Sequence, residues 1–231
     1  MALLDPRPDK QWRVDGINQS FDFNGVPVRL AIQDELGRID LNYADGSLLA
    51  GLFRSAGLDA ISANSLVDKI LDWRDPNPAH RLNGAKQKDY REAGYLYQPR
   101  NGPFQSVDEL KLVMGVGPEL FKQVEPALTV YSGRQFFDPR VAPSEVLMVL
   151  PTMNAETAGS LIAARSGLQP DAGSTAPTGV VAPPTSAPGR AFMICAEIQK
   201  SKGALAREAV IRLTGDLAQP YWVLSWRTKY D

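Results

Sequence analysis

The chain has 231 residues, is 44% hydrophobic and 22% charged, and carries a formal net charge of −1. This is enough for one large or two small domains with a real core, and the near-neutral balance gives no overall pull toward nucleic acid or an anionic membrane, so either would need a local patch. One cysteine, Cys195, excludes an intrachain disulfide, and one histidine, His80, excludes the common zinc ligand sets. No run approaches the roughly 18 apolar residues of a membrane helix, and the opening MALLDPRPDK has neither the basic start nor the apolar stretch of a signal peptide, so the chain as written reads as soluble.

Within residues 11–35, Asp22-Phe23-Asn24-Gly25 has turn chemistry, and Val26, Val28, Leu30 and Ile32 alternate with Pro27, Arg29, Ala31 and Gln33. A period of two after a turn predicts a half-buried strand. Residues 47–58 place Leu48, Leu49, Leu52 and Phe53 at helical spacing, with Gly57 where a left-handed residue would end the helix. A second helix is expected over 62–74, with Ala63, Leu66, Val67, Ile70, Leu71 and Trp73 on its apolar side. Asp68, Asp72 and Asp75 recur along another side, as a solvated face or as part of a ligand set. Residues 75–103 read as a long loop with one helical turn near 86–93, and Tyr90, Tyr95, Tyr97 and Phe104 are placed to pin it by packing.

Ser106-Val107-Asp108-Glu109 has the Ser-x-x-Glu form of a capping box, in which the serine oxygen and the glutamate each accept a backbone N–H at a helix start. Gly115-Val116-Gly117 then turns the chain, and Pro118 sits at the first position of the next helix, where a missing N–H costs little. Residues 136–166 repeat the style of 40–74: laying Asp40 over Asp138 brings Leu49 over Leu147 and Leu52 over Leu150, as in a degenerate helical hairpin repeat. The proline-rich, almost uncharged stretch 169–189 reads as a mobile loop. Three strands are expected over 191–199, 204–214 and 221–228, joined by short polar connections into an antiparallel meander. Phe192, Ile194, Ala196 and Ile198, then Ala209, Ile211 and Leu213, then Trp222, Leu224 and Trp226 would line its apolar face; Cys195 falls opposite, a small apolar filler rather than a nucleophile.

Nothing here supports catalysis: His80 stands alone in a proline-flanked loop, and there is no P-loop, dinucleotide fingerprint or metal-spaced histidine pair. The Gly115-Val116-Gly117-Pro118 turn is either a structural hairpin or the phosphate-binding turn of a helix-hairpin-helix. Asp108, Glu109 and Glu119 surround it and only Lys111 and Lys122 are close, which disfavours nucleic acid.

Five segments occur in one order: Asp40-Leu41-Asn42-Tyr43-Ala44, Leu71-Asp72-Trp73-Arg74-Asp75-Pro76, Asn83-Gly84-Ala85, Ser106-Val107-Asp108-Glu109-Leu110 and Leu128-Thr129-Val130. As a set they resemble the minor pseudopilin K family of type II secretion systems. The resemblance implies an α+β fold, a pilin-like antiparallel sheet with a large inserted all-α SAM-like or helical-hairpin domain. The expected divisions are 1–40 and 190–231 in the sheet domain, 41–131 as the insert, 132–168 as a second helical unit and 169–189 as the loop. It also implies a noncatalytic subunit at the tip of the pseudopilus, partnered by minor pseudopilins I and J, with its insert toward the periplasm and secreted substrate. The family's inner-membrane helix lies outside this stretch, which would make the chain a periplasmic ectodomain. The alternative is a helix-hairpin-helix DNA-binding protein of the DNA-uptake type. By the same resemblance the insert holds calcium, here through Asp72, Asp75, Asn77 and Asp89. Where the family has a glutamate this chain has Lys86, whose ammonium repels a divalent ion and is a candidate internal counter-ion.

Overall fold

A computed structural model describes residues 12–150, 153–167, 189–200 and 203–230. In chain order it contains β1 (Gln19–Phe23), β2 (Val26–Asp34), β3 (Ile39–Asp40), α1 (Gly46–Ser55), α2 (Ala60–Arg74), α3 (Gln87–Glu92), α4 (Pro118–Val124), β4 (Leu128–Thr129), α5 (Ser144–Leu147), α6 (Ala155–Gly167), β5 (Ala191–Lys200), β6 (Gly203–Leu213) and β7 (Tyr221–Tyr230). They fall into two compact units. One comprises residues 1–37, 138–142 and 159–231, the other 38–137 and 143–158.

The first unit is built on a five-stranded antiparallel sheet of order β1-β2-β5-β6-β7. The β1–β2 hairpin forms where the sequence places its turn: Asn24 (φ 53°) and Gly25 (φ 80°) both take left-handed conformations, which a two-residue turn of this hand requires. The Asp22 carboxylate accepts the Gly25 N–H at 2.7 Å. Sheet neighbours β2 and β5, with Leu30 opposite Ala196 and Ile32 opposite Ile194, are separated in sequence by the whole second unit. Val14, Ile32, Val141, Phe192, Ile211 and Leu213 form the buried core, with Trp12, Leu30 and Ile194 against it. Asp34 and Arg190 make an ion pair inside this unit, with side chains 0% and 7% exposed, and Gln33 Nε2 donates to the Asp34 and Val141 carbonyls at 2.8 and 2.7 Å.

The expected meander forms, with one correction to its facing. The β6–β7 register slips between Val210 and Ile211, so Val223 opposes Ile211 and Ser225 opposes Val210, leaving Leu224 without a Cα partner. Such a bulge resets the period of two. Tyr221 and Val223 therefore join Trp226 on the apolar face, while Trp222 and Leu224 do not line it.

In the second unit, α1 packs against α2. Each helix starts on an aspartate: the Asp45 carboxylate accepts the Leu48 N–H, and that of Asp59 accepts those of Ile61 and Ser62. Gly57 ends the first where expected, at φ 96°. A short parallel ladder of Ile39–Asp40 with Leu128–Thr129 clasps the unit's ends. Asp40, 1% exposed, holds that clasp through the Ser132 hydroxyl and Gly133 N–H. Asn42 reaches across with both ends of its amide, accepting the Phe104 N–H at 2.7 Å and donating to its carbonyl at 2.9 Å.

Two expectations meet a different outcome, and a third is not tested. The capping box at Ser106 does not form: Val107–Leu112 is a 3-10 helix without a side-chain cap, and Glu109 is used elsewhere. The stretch 132–168 is not one separate helical unit, because 143–158 cluster with 38–137 whereas 138–142 and 159–167 cluster with the sheet. The first of its helices is only four residues long, about one turn, and its buried Val146 and Leu147 rely on packing within the 38–137 and 143–158 unit. The proline-rich loop lies, apart from Gly189, outside the described residues, as do residues 1–11.

Candidate functional site

The second unit concentrates its polar chemistry at the end of α2. Asp68, Asp72 and Asp75 form neither a bare solvated row nor an open ligand set, because the following loop folds back and engages each of them. The Asp68 carboxylate accepts the Asn83 N–H and amide at 3.1 and 3.2 Å. Asp72, fully buried, accepts Arg81 Nη1 at 2.6 Å and the Arg81 N–H at 3.1 Å. Asp75 accepts the Asn77 N–H at 2.9 Å and Arg81 Nη1 at 3.3 Å. The Asn77 N–H is the main reason its pKa lies below the usual carboxylate value, with Arg81 and Lys86 adding to it. The approach of the loop depends on Gly84, where a Cβ would sit 1.8 Å from Asp72 Oδ2.

Lys86 is 8% exposed, and its ammonium donates to the Asp72 carbonyl at 2.7 Å, the Asp75 carbonyl at 2.6 Å and Asn101 Oδ1 at 3.3 Å. Asp89 turns away from that cluster to accept the Lys86 N–H at 2.8 Å at the start of α3. Asn77 Oδ1 accepts the Ala79 N–H. Of the four expected calcium ligands, the structure brings Asp72 and Asp75 together and leaves Asn77 and Asp89 in local turns. Among the described residues no group of three or more His, Cys, Asp or Glu is placed to hold a metal ion.

Beneath this cluster is the aromatic layer expected to pin the loop. Trp73 stacks on Phe104 with centroids 6.1 Å apart, and Tyr90, Tyr95 and Tyr97 pack at 5.2–5.9 Å. Burial raises the Tyr90 pKa, and its hydroxyl accepts the Met114 N–H. Glu109, 7% exposed, takes Trp73 Nε1 and the Gln105 N–H, each at 2.9 Å, and pairs with Arg100. Sequence reading missed Arg81, Arg100 and Asn101. Only Asn101, followed by Gly102 and Pro103, carried a local signal, and it adopts φ 53°.

The hairpin at 115–117 has no assembled basic patch: Lys111 bonds Asp108 at 2.6 Å and lies over the Phe121 ring. His80 is exposed beside the Arg81 carbonyl. Among the described residues no helix is long and apolar enough to cross a membrane.

The first unit offers a surface of another kind. One face of the sheet carries an open trough of about 680 Å³. Small and aliphatic side chains of the central strands, including Ala196, Ala209 and Ile194, form its floor. Phe21 and Phe23 of β1 rise at one edge, Tyr221 and Trp226 of β7 at the other. Apart from Arg207 and Glu208, its lining is uncharged, and Phe23 and Trp226 are 61% and 67% exposed. Its exposed aromatic rims over an uncharged floor make it the candidate interaction surface of this unit.

Residues 32–133 match the family described as Type II secretion system (T2SS), protein K. A curated relative, type II secretion system protein K of Klebsiella pneumoniae, is 31% identical over 75 residues. That stretch is 32% of this chain and spans 23% of the relative's length. Among solved structures, a chain of the GspK-GspI-GspJ complex from the enterotoxigenic Escherichia coli type 2 secretion system is similar, with a TM-score of 0.64. The match covers 93% of this chain and 84% of the other at 16% identity, a likeness of fold. The family match takes in the whole aspartate–lysine loop and both strands of the β3–β4 clasp, and the mixed helical and antiparallel-sheet fold around them is similar to that of the matched chain. By these findings residues 32–133 are similar to protein K of type II secretion systems, and the chain shares its fold with the matched chain of the solved complex.

Proposed function

We propose that this chain is the periplasmic part of a noncatalytic minor pseudopilin, anchored at the inner membrane, that caps the pseudopilus tip together with pseudopilins I and J. The reading is carried by one observation: a helical body, which we read as SAM-like, is inserted between strands that are neighbours in the sheet. A filament subunit must present the same surface to the copy above it as every other subunit does. An added body of this size is compatible with the last position, where nothing is stacked above, and burdens every other one.

The trough supports assembly through the sheet unit. Its floor spans the three central strands, about 10 Å at the usual strand spacing, which is the diameter of one α-helix. With almost no charge to satisfy, its matching occupant is an apolar helix of the pseudopilin assembly. Copurification with pseudopilins I and J tests the reading, and a stable ternary complex is the expected result. A chain that stays monomeric in the presence of both overturns it. A salt-sensitive shift of duplex DNA would favour the helix-hairpin-helix alternative.

A further inference from the structure

The loop that closes on α2 is built like a cation site, and the geometry points to the ε-ammonium of Lys86 as its resident cation, which makes the helical unit independent of calcium. The Asp72 carbonyl lies in the last turn of α2 and Asp75 is its C-cap, so both carbonyls belong to the helix end that has no intrahelical donors. Lys86 supplies those donors from across the loop, placing positive charge at the negative end of the helix dipole, and its third bond ties in Asn101 from the far side. One side chain thereby links the helix end, the start of α3 and the segment leading to Phe104.

The residues present do not fit a calcium ion. Calcium takes six to eight oxygens at about 2.3–2.6 Å, whereas the inward oxygens here are already used. Asp72 is held by Arg81, Asp75 by Arg81 and the Asn77 N–H, and the two main-chain carbonyls by the ammonium. Charge argues the same way. The Asp72 and Asp75 carboxylates face the Arg81 guanidinium and the Lys86 ammonium, so the cluster is balanced, and a divalent ion would leave an uncompensated excess beside a buried lysine.

The test uses thermal unfolding of the full chain. The midpoint is expected to be the same in chelator and in about 10 mM calcium, a level above the dissociation constants of even weak extracellular sites. A midpoint that rises with calcium overturns the inference, since only a site on the native state would produce it. Lys86→Met is expected to lower the midpoint by several degrees and to hasten proteolysis within 75–103; an unchanged midpoint and cleavage rate also overturn it. Should Lys86→Met fail to fold, Lys86→Arg keeps the charge, and hydrogen exchange of the 75–103 amides gives the readout. Protection indifferent to calcium supports the inference, and protection gained on adding calcium defeats it.

Discussion

Replacing Glu109 by Gln tests whether this carboxylate, rather than a helix cap, is the anchor beneath the loop. Its two oxygens serve Trp73 Nε1, the Gln105 N–H and the Arg100 guanidinium. Glutamine keeps one acceptor oxygen but turns an NH2 group toward a remaining donor, so at least one buried donor loses its partner. Hydrogen bonds to a charged group contribute roughly 1.5–3 kcal/mol and an orphaned buried donor costs about 1–3 kcal/mol. Arg100 is 37% exposed and recovers hydration, so its share is discounted toward that of a surface pair. The expected loss is therefore about 2 kcal/mol for Glu109→Gln and about 4 kcal/mol for Glu109→Ala, which strands both N–H donors. Trp73 is the one tryptophan of the helical unit, so its fluorescence during denaturant unfolding, with Trp12, Trp222 and Trp226 replaced by Phe, isolates the relevant transition. The loss should depend on pH. Burial pushes the Glu109 pKa up, but Arg100, the Gln105 N–H and Trp73 outweigh it and leave the pKa below its ordinary value. A depressed folded pKa means that the stabilisation is fully present above the unfolded value of about 4.3 and disappears as pH falls through the folded one. The gap between wild type and Glu109→Gln should thus be constant near neutrality and close in acid. A gap under about 0.5 kcal/mol at pH 7, the size of an ordinary surface substitution, would refute the reasoning.

Three further outcomes are expected. Gly84→Ala places a methyl where Asp72 Oδ2 now lies, so the Asp72–Arg81 contact must yield, and a loss of about 2–3 kcal/mol in the same fluorescence transition checks it. Asp34→Asn removes the carboxylate from a buried pair and should cost the sheet unit about 3–5 kcal/mol, read by circular dichroism during urea unfolding. Trp226→Ser should leave the melting midpoint nearly unchanged, because the ring is already 67% exposed, while weakening assembly with pseudopilins I and J at least about tenfold in calorimetric titration, the effect of losing one aromatic anchor.

What could be read from the chain without its coordinates was what local chemistry decides. The period of two over Val26 to Ile32, the Asn24-Gly25 turn, the stop at Gly57 and the helix start at Pro118 all lie where short-range sterics place them. The aromatic pins were legible because large apolar groups in a polar loop have few other uses. The sheet facing of β7 was not, since one unpaired residue at Leu224 shifts the alternation, so that Trp222 before it and Trp226 after it do not share a face, and this leaves no mark in composition. Ser106 to Glu109 misled for the opposite reason: the motif is complete, but capping competes with whatever else can use the glutamate. Trp73 and Arg100 lie 36 and 9 residues away and bring it stronger, partly buried donors.

The acidic row of α2 shows the same competition at the candidate site. Side chains at Asp68, Asp72 and Asp75 suit a solvated face or a metal equally well by spacing alone. The choice is made by Arg81 and Lys86, loop residues whose sequence positions say nothing about where their charges finish. A carboxylate cluster in a sequence therefore specifies a demand for positive charge and leaves its source open. Here a guanidinium and an ammonium from the chain itself meet that demand, with Gly84 giving the loop room to deliver them.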